Sequence, residues 1–511
     1  MLRSPWVMRD MRRLQWVTLC LGVGLGLGCG RTGLWSAEDE AAGTGGASSV
    51  GGATLGGSGA STGGKLAAGG TLAFGGMLTG GVGTAGSLVG GSPNATCDLS
   101  VGDCRVVSEP ECADTFELCT GEVVEQQEVD ANAIFINDLA ISESGRVALA
   151  GRFRGKLDFG GSSKPLLSAE TAAPGTDGFV VSLDASGIAQ WSYRYSRDAS
   201  DDVTGLRFAP DGELVLQGRD AAGVFVERLD ANGEVSSSQW TANTGVEPGR
   251  VGMDSNGHIL LSGNYSELLS LGGAQLSRSG RSGYLVKLNS DGQALWAVDT
   301  IPTDWASCSL TGFAVDANDD IVVVGNGVRN DGGARSFIQK FDSSSTAIVA
   351  AHLPGELTLR GVAVDGNLRI VVAGTFDAKL RYSGAVHEVS NGSAADVWIA
   401  QLTRAADLIW QKSFASGTAG ASVDAIAVDS FANLVVVGNG LELNTSLPKP
   451  SFEKLYALKL RPDGRPVWSR SFFTGSIHSS LGIDHEGSAW IAGMGTVDSP
   501  GMFAFLSKIL P

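Results

Sequence analysis

Basic residues are scarce in this chain: 37 Lys and Arg stand against 54 Asp and Glu, a formal net charge of −17 at pH 7. A nucleic-acid binder carries a basic footprint, so this balance argues against one. Charged residues of either sign make up only 18 %, below the roughly 25 % of ordinary domains. Five His are spread over 511 residues, with no HExxH motif, and the literal GxSxG at Gly59 to Gly63 lies in a Gly-rich stretch without the strand and helix of a nucleophile elbow, which removes the motif-based routes to a zinc protease or an α/β-hydrolase. No apolar run reaches the about 18 residues that a membrane-spanning helix needs. Cysteine is nearly absent from the body: of seven, Cys308 alone lies beyond Cys119.

The N-terminus is built as an export signal. Met1 to Arg13 carry Arg3, Arg9, Arg12 and Arg13 against Asp10, and Leu14 to Leu27 is largely apolar. Fourteen residues suit the apolar part of a signal peptide and are too short to span a bilayer. The run ends at Gly26-Leu27-Gly28-Cys29, which resembles a bacterial lipobox, with Gly26 standing where that pattern has Leu. The resemblance implies a diacylglycerol on the sulfur of Cys29 after cleavage behind residue 28, and hence a bacterial outer-membrane lipoprotein facing the periplasm or the exterior.

What the chain has in excess is glycine, 73 residues. The strict period of three that collagen demands is missing. Between Ala41 and Thr96, 20 of 56 residues are Gly and Lys65 is the sole charge. Such a composition cannot bury enough surface to offset its conformational entropy, so residues 29–96 read as a lipidated Cys plus a flexible tether. Two literal matches to nucleotide-binding loops fall there, Gly81 to Gly86 and Gly59 to Lys65; neither has the flanking strand and helix that give such loops meaning. Next, Cys97, Cys104, Cys112 and Cys119 form an evenly spaced set within residues 97–120. In an exported chain these predict two disulfides with the pairing open, rather than a zinc site.

From residue 121 onward the chain repeats. An apolar run closing in Gly recurs at Gly151, Gly218, Gly263, Gly325, Gly374, Gly438 and Gly493, at intervals of 67, 45, 62, 49, 64 and 55. Nine residues before each stand Ser142, Ala209, Asp254, Asp316, Asp365, Asp429 and Asp484. A constant offset inside repeats of variable length means a constant hairpin inside variable loops. Each unit reads as four strands joined by tight turns such as Asp254-Ser255-Asn256-Gly257 and Asn289-Ser290-Asp291-Gly292. Seven such units predict an all-β fold, a seven-bladed β-propeller over 121–511. The pattern Val-Asp-x-x-x-x-apolar-apolar-apolar-x-Gly followed by apolar-x-Lys-Leu-x-x-x-Gly-x-x-x-Trp, seen at Val286 to Trp296 and Leu458 to Trp468, resembles the bacterial SBBP repeat. That resemblance implies an exported propeller and carries no catalytic residues with it. The seventh unit stops after its third strand, and Gly121 to Gln126 is the segment expected to supply the fourth.

Function is thinner in the sequence. Asp316, Asn318 and Asp320 begin like a calcium loop but lack its Gly and distal Glu; a carboxylate capping its own turn explains the first Asp, and no cofactor is expected. Cys308 reads as a small buried hydrophobe. The connections between second and third strands are long and unlike each other, and variable loops on a rigid scaffold are where recognition resides. Tyr265, Arg281, Trp305, Arg335 and Tyr382 are the ligand-binding residues this predicts. Residues 97–511 carry a net −19, which repels anionic polymers. The reading is therefore a lipid-anchored, monomeric binding protein with a glycan or surface-protein partner and no nucleic acid. Its rivals are a lyase or hydrolase with its site at the tunnel mouth, and a structural surface protein without a discrete ligand.

Overall fold

In the computed structural model the described residues are 123–131, 133–160, 166–167, 175–197, 200–241, 245–389, 395–416, 420–440, 454–474, 479–496 and 502–511, with the short strand pair 97–98 and 103–104. The signal segment, Cys29, the tether, Cys112 and Cys119 lie outside them. None of the described residues forms a helix long and apolar enough to cross a membrane.

Seven four-stranded antiparallel sheets are present. The innermost strands are Ala133–Ile141, Asp202–Phe208, Val246–Met253, Trp305–Val315, Leu357–Val364, Ala425–Val428 and Ser479–Ile483. Each packs against the next, and the seventh against the first, which closes a ring. The closure is covalently staggered. Met502–Ile509, the third strand of blade seven, pairs with Val123–Ala131 from the start of the body, from Val123 opposite Ile509 to Ala131 opposite Met502. The expected donor strand is thus found, displaced toward the C-terminus of the predicted Gly121 to Gln126. It covers an edge that would otherwise be open.

The core is cyclic as well. Seven buried clusters each draw on two neighbouring blades: Phe179 and Trp490 join blades one and seven, Tyr195 and Phe225 blades one and two, Trp305 and Leu285 blades four and three. The repeated Gly has a steric reason. A one-residue bulge in the inner strand, as between Leu310 and Gly312, pushes a carbonyl toward the second strand. A Cβ at Gly325 would stand 2.4 Å from the Ser309 oxygen, and one at Gly374 2.3 Å from that of Thr358. The repeat tryptophans tie each blade to the next: the indole N–H of Trp191, Trp296 and Trp410 donates to the carbonyls of Ala231, Ser343 and Pro462, at 2.8, 3.0 and 2.8 Å. Trp468 faces blade seven, which has no such turn, and its indole N–H is buried without a partner.

Candidate functional site

The turn between first and second strands follows one rule in blades three to seven. Its opening Asp accepts, through one oxygen, the N–H groups two and four residues on: Asn256 and His258 at 2.9 and 2.8 Å in blade three, Phe431 and Asn433 at 3.0 and 2.8 Å in blade six. The other oxygen meets a cation from the third strand. Lys287 reaches Asp254 at 2.7 Å, Lys340 reaches Asp316 at 2.7 Å, Lys459 reaches Asp429 at 3.0 Å and Lys508 reaches Asp484 at 3.3 Å. Blade five has Gln401 on Asp365 instead, at 3.4 Å. Blade two lacks the Asp, and the equivalent Arg228 finds Asp211 and Glu213 at 2.7 and 2.6 Å. Burial of the Asp254 carboxyl opposes ionisation, but the bonds from Lys287 and His258 outweigh it and hold its pKa at about 2. In blade four Lys340 lies 2.7 and 2.9 Å from Asp316 and Asp320. The two carboxylates that the sequence offers to calcium therefore share one buried ammonium. Among the described residues no group of three or more His, Cys, Asp or Glu is arranged to hold a metal.

The described parts of the variable connections in blades one, three and five pack against neighbouring blades. In blade three the second and third strands run on as Ile259–Leu271 and Ala274–Leu288. A bulge at Tyr265 and Glu267, with Glu267 at φ 72°, turns this hairpin back along the blade, and the Gly272 carbonyl accepts from Ala294 at 2.7 Å. Its Leu269 and Leu271 are buried with Val224 and Val226 of blade two. Short hairpins in blades one and five do the same: Leu157 packs with Trp490 and Leu506 of blade seven, and Leu380 with Val324 and Ile338 of blade four. Tyr265 and Trp305, expected to reach a ligand, are each 1 % exposed. The Tyr265 hydroxyl donates to Asp299 at 3.2 Å, and Trp305 packs edge-on against Phe337. Tyr382 stacks edge-on against Trp398. Arg281 and Arg335 do lie at the surface, the first held by both oxygens of Glu247 and the second by its neighbouring Ala334 carbonyl at 3.0 Å. Loops long enough to recognise a partner are also long enough to fill the gap between blades, and here the apolar residues decided for filling. Cys308 is buried, its thiol pKa pushed up by burial. Cys97 and Cys104 are directly opposed in the register of their strand pair.

The concave site is the axial tunnel. A cavity of about 660 Å³ is lined by all seven inner strands and by turn residues Ser255, Ala317 and Asp319, so it opens on the face of the short repeat turns. A smaller one of about 240 Å³, lined by Asn137, Thr204, Pro248 and Thr311 among others, occupies the other end, and Arg250 borders both. Arg250 of blade three reaches past blade two to Asp138 of blade one at 3.1 Å. Burial pushes the Asp138 carboxyl pKa up, opposed by Arg250 and by the Leu206 N–H at 3.1 Å. Two residues before each turn the seven blades carry Ala140, Arg207, Gly252, Ala314, Ala363, Ala427 and Gly482. Six are small, and Arg207 projects among them with an exposed side chain. Its charge acts with that of Arg250 to favour the ionised form of the Asp138 carboxyl. Sequence reasoning did not single out Arg207 because it read the repeat for its constant positions; lining the seven units up on the turn would have set this Arg in a column of Ala and Gly.

No family model matches the chain, and no curated protein matches it. Among solved structures, a streptogramin B lyase aligns over 75 % of this chain and 97 % of its own at 12 % identity, TM-score 0.41. A polysaccharide lyase of family PL25, an ulvan lyase, aligns over 74 % and 95 % at 12 % identity, TM-score 0.45. YCF48 bound to a D1 peptide aligns over 76 % and 95 % at 8 % identity, TM-score 0.40. At these identities the likeness carries nothing about function.

Proposed function

We propose that this is an exported binding protein of the bacterial envelope, lipid-anchored through Cys29 and held off the membrane by its Gly-rich segment, with a propeller of SBBP-like repeats that takes a ligand in its axial tunnel. The role is binding rather than catalysis. One observation carries the reading: a cavity of about 660 Å³ walled by strands of all seven blades and lined by charged side chains, Arg207, Arg250 and Asp138 among them. Rigid, preformed concavity is what small-ligand sites share, and a ring whose core clusters bridge every pair of neighbouring blades supplies it.

The test is ligand retention. Full-length protein purified without denaturation from its own envelope is compared with Ala427→Trp, whose indole fills the tunnel, by native mass spectrometry. A small molecule retained by the wild type and missing from the variant supports the reading. Equal retention by both, or by neither, contradicts it. The anchor has its own test: palmitate-analogue labelling of wild type and Cys29→Ala, where equal labelling removes it.

A further inference from the structure

We propose that Cys97 and Cys104 are joined by a disulfide, which fixes the pairing of the four-cysteine set and leaves Cys112 and Cys119 to each other. This rests on the chain being exported to an oxidising compartment, and adds a covalent site that the tunnel does not involve.

Four cysteines allow three pairings, and strand register chooses among them. Cys97 stands directly opposite Cys104, and Asp98 opposite Asp103, in a two-stranded antiparallel sheet. Directly opposed residues of such a pair have Cα atoms about 4.5 or 5.5 Å apart. Both spacings fall inside the window of about 4.4–6.8 Å that a disulfide spans. The same sheet shows why a link is needed. Each strand is two residues long, and an isolated two-stranded hairpin is marginal in water. Its second pair sets Asp98 against Asp103, and like charges at directly opposed positions weaken a sheet. A covalent bond at the neighbouring pair offsets both defects. Sequence spacing agrees: six residues separate Cys97 from Cys104, and six separate Cys112 from Cys119. This pairing therefore closes two equal short rings, and short loops lose the least entropy on closing. Either other pairing would leave two cysteines opposed in register yet unjoined. Cys308 is no competitor, being 1 % exposed on the inner strand of blade four. As the S–S bond forms, the two thiols give up two protons and two electrons. Those electrons reduce the disulfide of a dithiol oxidase to two thiols.

The experiment is peptide mapping of the full-length protein purified from the cells that make it. Free thiols are blocked with N-ethylmaleimide in denaturant, and trypsin is used without reductant. Between Lys65 and Arg146 the only basic residue is Arg105. Residues 66–105 therefore carry Cys97 and Cys104 on one peptide, and residues 106–146 carry Cys112 and Cys119 on another. Two separate peptides are expected, each unlabelled and two hydrogens lighter than its thiol form, while Cys308 takes the label. A second sample of the same protein is reduced and then oxidised in glutathione buffer, where the same two closed peptides are expected. The two peptides joined as one species in either sample, or residues 66–105 labelled at both cysteines in both samples, would overturn the pairing. Residues 66–105 labelled in the cellular sample but closed in glutathione would count against the exported compartment and leave the pairing standing.

Discussion

The rim of the tunnel and its interior are made from the same seven inner strands, yet they treat charge in opposite ways. At the rim, Asp254, Asp316, Asp429 and Asp484 each have a lysine from the third strand, and where the Asp is missing the chain supplies Asp211 and Glu213 to Arg228 instead. Two residues deeper, six positions are Ala or Gly and the seventh is Arg207. Turn charge is met within its own blade, whereas tunnel charge is shared between blades: Arg250 of blade three pairs with Asp138 of blade one, and Arg207 of blade two acts on the same carboxyl. The first kind shapes a single turn; the second lines the cavity that the whole ring encloses.

The largest effect should come from breaking the balance at the rim. Lys459 and Asp429 are each 0 % exposed at the side chain. Lys459→Met strands a buried carboxylate, and the cost should be about 3–5 kcal/mol in urea unfolding. The double change Lys459→Met with Asp429→Leu should recover most of it. Next in size is the inter-blade filling. Leu271 is 1 % exposed at the tip of the folded-back hairpin, and Leu271→Ala should cost about 2–4 kcal/mol by the same measurement. A loss below about 0.5 kcal/mol would mean that the hairpin is not anchored between blades two and three.

Acid should act on the rim at lower pH than on the interior, where burial raises the Asp138 pKa. The Asp254 pKa is held at about 2 against an ordinary 3.8. A carboxylate lowered on folding stabilises above its unfolded pKa and loses that contribution as pH falls through the folded one. Stability should therefore decline on acidification from about pH 4 to about pH 2, and Lys287→Met should flatten that limb. Smaller again is the backbone term. The fourth residue of the turn has φ of 78° at Gly257 but 63° at Leu368 and 65° at Ala432. Leu368→Gly relieves a left-handed conformation that a branched side chain disfavours, and should raise stability by roughly 0.5–1 kcal/mol.

Much of this architecture is legible in the sequence, because the ring repeats. The Gly that closes each second strand and the residue nine before it mark a steric contact and a capped turn, and both recur in nearly every blade. The intervals of 67, 45, 62, 49, 64 and 55 also alternate long and short. Blades one, three and five carry the extra residues, and those residues form the hairpins that wedge against the preceding blade. Read as variable loops, they pointed to Tyr265 and Trp305 as ligand contacts. Read as an alternation, they point to packing. The direction in which a hairpin folds back depends on a bulge and on apolar neighbours from another blade, neither of which is local. The tunnel was the least legible part, since Arg207, Arg250 and Asp138 come from three different blades and meet only when those blades pack side by side.

The most direct test of the central claim is native mass spectrometry of the full-length protein purified without denaturation from its own envelope. The account predicts a small molecule retained by the wild type and absent from Ala427→Trp, which places a bulky side chain at the tunnel wall. Retention by both proteins, or by neither, would contradict the tunnel as the binding site.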